Sequence, residues 1–107
     1  MTRKFVQTPP FLSAWKLMGL DDDALSVLED ALLLNPEAGD MIEGTGGARK
    51  IRVQLVGRGK SGGGRVIYFD AGDTIYLIAT YPKNVREDLI PSQKKRIHEL
   101  TRQFRKE

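Results

Sequence analysis

The chain has no cysteine and only one histidine among its 107 residues. The first absence excludes a disulfide framework and every cysteine–zinc site, and it suits a reducing compartment. The second excludes a metal site built on several histidines and leaves His98 as the sole histidine for any serine–histidine–aspartate triad. No apolar run approaches the ~20 residues of a membrane-spanning helix. The opening MTRKFVQTPP has no apolar stretch long enough for a signal peptide. A hydrophobic share of 40% at this length supplies one core and not two. The expectation is a small, soluble, cytoplasmic protein with no membrane partner, and one domain over residues 1–107.

Acid is missing from one particular stretch. No Asp or Glu occurs between Glu43 and Asp70, whereas Arg49, Lys50, Arg52, Arg58, Lys60 and Arg65 all fall there. Residues 1–48 carry three basic against eight acidic residues, a net of −5; residues 49–107 carry fourteen against six, a net of +8. Such a block attracts a polyanion at long range and releases counterions on binding. The plainer alternative is a solvated basic face, or one that pairs with an acidic protein.

Periodicity places these charges. Thr8-Pro9-Pro10 reads as a helix start, a hydroxyl cap followed by prolines in the first turn. Phe11, Leu12, Trp15 and Met18 then recur at helical spacing until Gly19. Asp21-Asp22-Asp23 opens a second helix whose apolar face is Ala24, Leu25, Leu28, Ala31 and Leu32, and Asn35-Pro36 stops it. The three aspartates read as caps rather than as a metal cluster, because neighbouring helix residues point different ways. The two helices form a hairpin packed on a sheet. Residues 36–47 have the composition of a loop.

From Ala48 the period becomes two. Ile51, Val53 and Leu55 alternate with Lys50, Arg52 and Gln54, which predicts a strand with one apolar and one basic face. GRGKSGGG follows, with five glycines in residues 57–64. RVIYFD (65–70) and TIYLIATY (74–81) predict two more strands, giving an antiparallel meander to which the short segment Arg3 to Thr8 can add at an edge. A last helix starts at Ile90-Pro91-Ser92 with a narrow stripe of Ile97, Leu100 and Phe104. The fold class is α+β: an N-terminal strand and helical hairpin on a small antiparallel sheet of about four strands, with a C-terminal helix.

Gly59-Lys60-Ser61 does not make a nucleotide-triphosphate loop. The motif needs an earlier glycine where Gln54 stands, and the segment joins two strands rather than a strand and a helix. Its glycines suit a flexible hairpin tip that lets Arg58 and Lys60 reach a phosphate backbone. His98 reads as a helix-surface histidine. The sharper signal is convergence: Lys50 and Arg52 share a strand face, Arg65 begins the neighbouring strand, and Lys83 follows the third, whose end adjoins the start of the second. Cations gathered on a sheet face repel and are maintained more readily if an anion visits. Repulsion and partial burial also suit a lysine to act as a base. Tyr68, Tyr76 and Tyr81 offer flat surfaces for unstacked bases.

These segments resemble the RelE/HigB-like toxins of bacterial type II toxin–antitoxin systems, most strongly the HigB-like branch. The resemblance runs from Gly46 to Leu100 through GGARKIRV, GRGKSGGGRVIYF and IYLIATYPKNVREDLIPSQKKRIHEL. It implies a RelE-like fold and a metal-independent, cofactor-free endoribonuclease (an mRNA interferase) that cuts messenger RNA in the ribosomal decoding site. There the 2′-hydroxyl attacks the adjacent phosphate to leave a 2′,3′-cyclic phosphate and a 5′-hydroxyl. By motif match Lys50, Arg52, Arg65 and Lys83 are the catalytic set. Lys50 or Arg52 assists deprotonation, Arg65 holds the scissile phosphate, and Lys83 supports the leaving group or phosphate. Arg49, Arg58, Lys60 and Tyr81 are the RNA-binding set. Some branches place a tyrosine or histidine near the C-terminus in the active site; here His98 lies deep in the helix and Tyr81 is the weaker substitute. The implied partners are the ribosome, messenger RNA and a cognate antitoxin of helix-turn-helix, HigA-like type. The alternative is a catalytically weak module of the same fold that binds RNA or mainly its antitoxin. A DNA-binding regulator is disfavoured because no basic recognition helix is apparent.

Overall fold

Thr8 accepts a hydrogen bond from the Phe11 N–H at 3.4 Å and so starts α1, Pro9–Leu17, where the two prolines occupy positions that need no N–H donor. Its hydroxyl also lies 3.1 Å from the carbonyls of Leu77 and Ile78, tying the helix start to a strand. The computed structural model describes residues 3–54, 63–85 and 88–105. Asp21 caps α2, Asp22–Leu34, by accepting from the Ala24 N–H at 2.9 Å, while Asp22 and Asp23 sit in the first turn against the positive end of the helix dipole. Asp21 therefore acts as the cap, and Asp22 and Asp23 oppose the dipole, as their order predicts. Ala31, expected on the apolar face of α2, is exposed instead.

The strands are β1 (Lys4–Gln7), β2 (Asp40–Met41), β3 (Arg49–Val53), β4 (Gly64–Asp70) and β5 (Thr74–Pro82), and α3 is Pro91–Arg105. They form a mixed sheet in the order β1-β5-β4-β3-β2. The pairing of β3, β4 and β5 is the antiparallel meander that the alternation predicts, and β1 adds parallel to β5. The sheet has five strands rather than about four, because two residues of the 36–47 loop, Asp40 and Met41, pair with Lys50 and Arg49. Two residues carry no periodicity, so β2 has no signature in the sequence. Leu55 and most of the glycine-rich connection lie outside the described residues.

Both sheet faces are covered. Phe11, Trp15, Leu28 and Leu32 pack against Val66, Tyr68, Ile75 and Leu77 on one side. Ile97 of α3, with Leu100 and Phe104, packs against Ile67, Phe69 and Ile78 on the other. A β-bulge where β5 passes Ile67 and Tyr68 decides which face the end of β5 presents. Tyr68 opposes Leu77 but Ile67 opposes Ala79, so Ile78 is the extra residue and the alternation of β5 inverts there.

Candidate nucleic-acid interface

The strand register builds the site. Arg52 of β3 lies opposite Arg65 of β4, and Arg65 lies opposite Tyr81 of β5. Directly opposed residues of antiparallel strands project to the same side, and Lys50, two residues before Arg52, shares it. This is the α3 side, since Lys50 opposes Ile67. Tyr81 reaches that side only through the bulge. Like charges directly opposite one another destabilise a sheet, so packing gives no reason to set two arginines there.

Exposure grades the set. Arg52 is exposed, Lys50 half-buried, and Arg65 buried at 3% exposure. The Arg65 guanidinium donates to the Gly64 carbonyl at 3.2 Å, and the Arg65 carbonyl accepts from the Thr80 hydroxyl at 2.8 Å. Arg65 therefore lies beneath the face expected to hold a phosphate rather than open on it. Tyr81 is half-buried with its hydroxyl inside. Lys83 is exposed, and its N–H donates to the Gly63 carbonyl at 3.0 Å, which fixes it beside the start of β4 as the antiparallel order predicts. Lys50, Arg52, Arg65 and Tyr81 thus share one face, with Lys83 at its rim.

Other expected residues fall elsewhere. Arg49 opposes Tyr68 and donates to the Gly39 carbonyl at 2.8 Å, on the opposite face from Lys50 and Arg52. It holds the 36–39 turn instead of extending the basic face. Arg58 and Lys60 lie outside the described residues. Two of the three tyrosines are not available for stacking on bases. Tyr68 is fully buried, donating to the Pro36 carbonyl at 2.7 Å and accepting from the Gly39 N–H at 2.9 Å. Burial pushes its phenol above the ordinary tyrosine range. Tyr76 stacks on Phe104 with ring centroids 3.9 Å apart. His98 is exposed and lines an open cavity of about 570 Å³ with Glu43, Lys94, Lys95 and Glu99, none of which belongs to the strand cluster. Among the described residues no group of three or more acidic or histidine side chains is placed to hold a metal ion.

The likeness of this chain to known proteins has two parts. The model of the RelE family, described as the RelE toxin of the RelE / RelB toxin-antitoxin system, matches residues 22–107. The chain belongs to the RelE toxin family. Membership gives it a toxin's role and implies a cognate antitoxin as partner. The structure of a mutant of E. coli toxin RelE in the free state is similar at a TM-score of 0.54 and 20% identity, over 81% of this chain and 90% of that one. At that identity the likeness is one of fold. The family match leaves out β1 and α1, which this RelE-family chain nonetheless packs onto β5 and into the hairpin-side core. Among the described residues no helix is long and apolar enough to cross a membrane.

One contact of this cluster was not legible in the sequence. Asp88, in the stretch leading from β5 into α3, places its carboxylate 3.1 Å from the Lys50 ammonium. The two are 38 residues apart, and nothing local to either announces the contact. The pair bears on the expected base. Arginines keep their protons at any working pH, and Lys50 faces Asp88 as a donor in an ion pair. As placed, Lys50 donates to the Asp88 carboxylate and Arg52 presents a guanidinium, a donor group.

Proposed function

We propose that this RelE-family toxin is a metal-independent endoribonuclease of the HigB-like branch that cuts messenger RNA on the ribosome. The observation that carries the reading is the register of Arg52, Arg65 and Tyr81 on one face beside Lys50, with Lys83 at the rim. The segment GGARKIRV, which carries the resemblance to the family, and RVIYF and YPKN, which carry the resemblance to that branch, supply the same residues. In the reaction the 2′-oxygen bonds to the adjacent phosphorus and the bond from phosphorus to the 5′-oxygen breaks. Negative charge grows on the non-bridging oxygens as the phosphorane forms. Arg52 meets that charge directly and Arg65 from beneath, a role worth several kcal/mol in preorganised sites. Lys83, exposed at the rim, supports the departing 5′-oxygen. Residues 1–107 act as one toxin domain in the cytoplasm, and a HigA-like helix-turn-helix antitoxin neutralises it.

Expression of the chain is expected to arrest growth. Arg52→Ala, which changes an exposed side chain, relieves the arrest, and His98→Ala does not. Arrest that persists undiminished in Arg52→Ala contradicts the reading. One observation favours a second reading, a binding module of the same fold: Arg65 is 3% exposed, so RNA contacts its guanidinium only if the covering groups move. Unaltered messenger RNA and normal growth at full expression would decide for that module.

A further inference from the structure

We infer that Asp88 is the catalytic base of this site, an inference that rests on the ribonuclease reading above. A 2′-hydroxyl is a poor nucleophile until a neighbouring group takes its proton, and the acceptor has to be an unprotonated side chain within hydrogen-bond reach. The cations of the cluster fail that test. Arg52 and Arg65 are permanent donors, and Lys50 is engaged as a donor to Asp88 at 3.1 Å. Tyr81 has a phenol whose hydroxyl is buried. The carboxylates are then the candidates. Asp70 is committed to Arg3 at 2.9 Å. Asp40 opposes Lys50 on the same face, but from β2, two strands removed from the Arg65 strand. Among the described residues Asp88 is the carboxylate seen paired with the cluster, through Lys50, and its side chain is 80% exposed, so an incoming ribose reaches it without displacing the core.

The step balances. Asp88 takes the 2′-hydroxyl proton while the 2′-oxygen bonds to phosphorus. The bond to the 5′-oxygen breaks, and Lys83 gives that oxygen a proton. Asp88 and Lys83 are both exposed and exchange these protons with water before the next turnover. Lys50 acts as a positioning residue for the carboxylate. No metal or further co-reactant enters.

The test is single-turnover cleavage of ribosome-bound messenger RNA by the wild type, Asp88→Asn, Asp88→Glu and Asp40→Asn across a pH series. Binding of a 2′-O-methyl RNA that cannot be cut is measured alongside. The inference expects Asp88→Asn to lose about a hundredfold or more in rate while binding the uncleavable RNA at least as tightly as the wild type. Asp88→Glu recovers a large part of the rate, and Asp40→Asn stays within a few-fold. The wild-type rate falls at acid pH, as a rate that depends on a carboxylate base does, and Asp88→Asn lacks that fall. An Asp88→Asn protein that cuts as fast as the wild type, or that loses rate only in proportion to lost binding, overturns the assignment of Asp88. A wild type that leaves no 5′-hydroxyl ends removes the ribonuclease reading and the base together.

Discussion

Tyr68 carries a hydroxyl into a fully buried position and satisfies it there with the Pro36 carbonyl and the Gly39 N–H. Tyr68→Phe would leave a buried N–H and a carbonyl short of one partner, which costs about 1–3 kcal/mol. Urea denaturation of the variant is expected to show that loss through a lower midpoint with an unchanged slope. The same residue sets an alkaline limit. Burial raises the Tyr68 phenol above 10.0 in the folded chain, so the unfolded state loses its proton first as pH rises. The stabilisation is intact below that ordinary value and declines as pH climbs towards the raised one. Denaturation midpoints taken above about pH 10 should therefore fall less steeply in Tyr68→Phe than in the wild type. A shared alkaline decline would place its origin in other groups.

At the scale of elements, α3 is held to the sheet partly through a loop of small residues. Gly46 has φ +75°, and a Cβ there would sit 2.6 Å from the Thr101 Oγ1. Thr101 is fully buried and donates to the Thr45 carbonyl at 2.9 Å, and the Thr45 hydroxyl in turn accepts from the Ala48 N–H at 3.2 Å. Gly46→Ala meets both a disfavoured backbone region, which costs about 1–3 kcal/mol, and a contact too close to keep. It is expected to lower the melting temperature and to speed amide exchange in α3 ahead of β4. Uniform exchange across both elements would contradict that role for the loop. Much of this layer was legible beforehand. Thr8 and Asp21 cap as their positions predict, and the alternation of Lys50 to Val53 is the alternation of a strand with one face on the core. What escaped did so for physical reasons. Two-residue β2 is shorter than any period. The bulge at Ile78 depends on pairing with β4, and strict alternation through TIYLIATY would put Tyr81 on the face of Ile75 and Leu77. Lys50 and Asp88 meet through tertiary structure alone, and the burial of Arg65 follows from what lies across it rather than from its neighbours in sequence.

The whole molecule is electrically polar, with an acidic N-terminal part and a basic remainder. Long-range attraction brings RNA towards the basic side, and each phosphate neutralised adds about 0.7 to the dependence of log affinity on log salt for a single strand. Arg52→Ala is expected to lower that slope by about this amount in binding to an uncleavable RNA, whereas Lys16→Ala in α1 leaves it unchanged. Equal slopes would mean that Arg52 makes no phosphate contact. The account as a whole stands on chemistry at the shared face of β3, β4 and β5. Its most direct test is the mapping and end analysis of cellular transcripts after expression of the wild type and of Arg52→Ala. The account predicts new cuts within translated codons, each with a 5′-hydroxyl downstream and a 2′,3′-cyclic phosphate upstream, and their loss in the variant. Transcripts without new ends, or ends carrying 5′-phosphates, would contradict it.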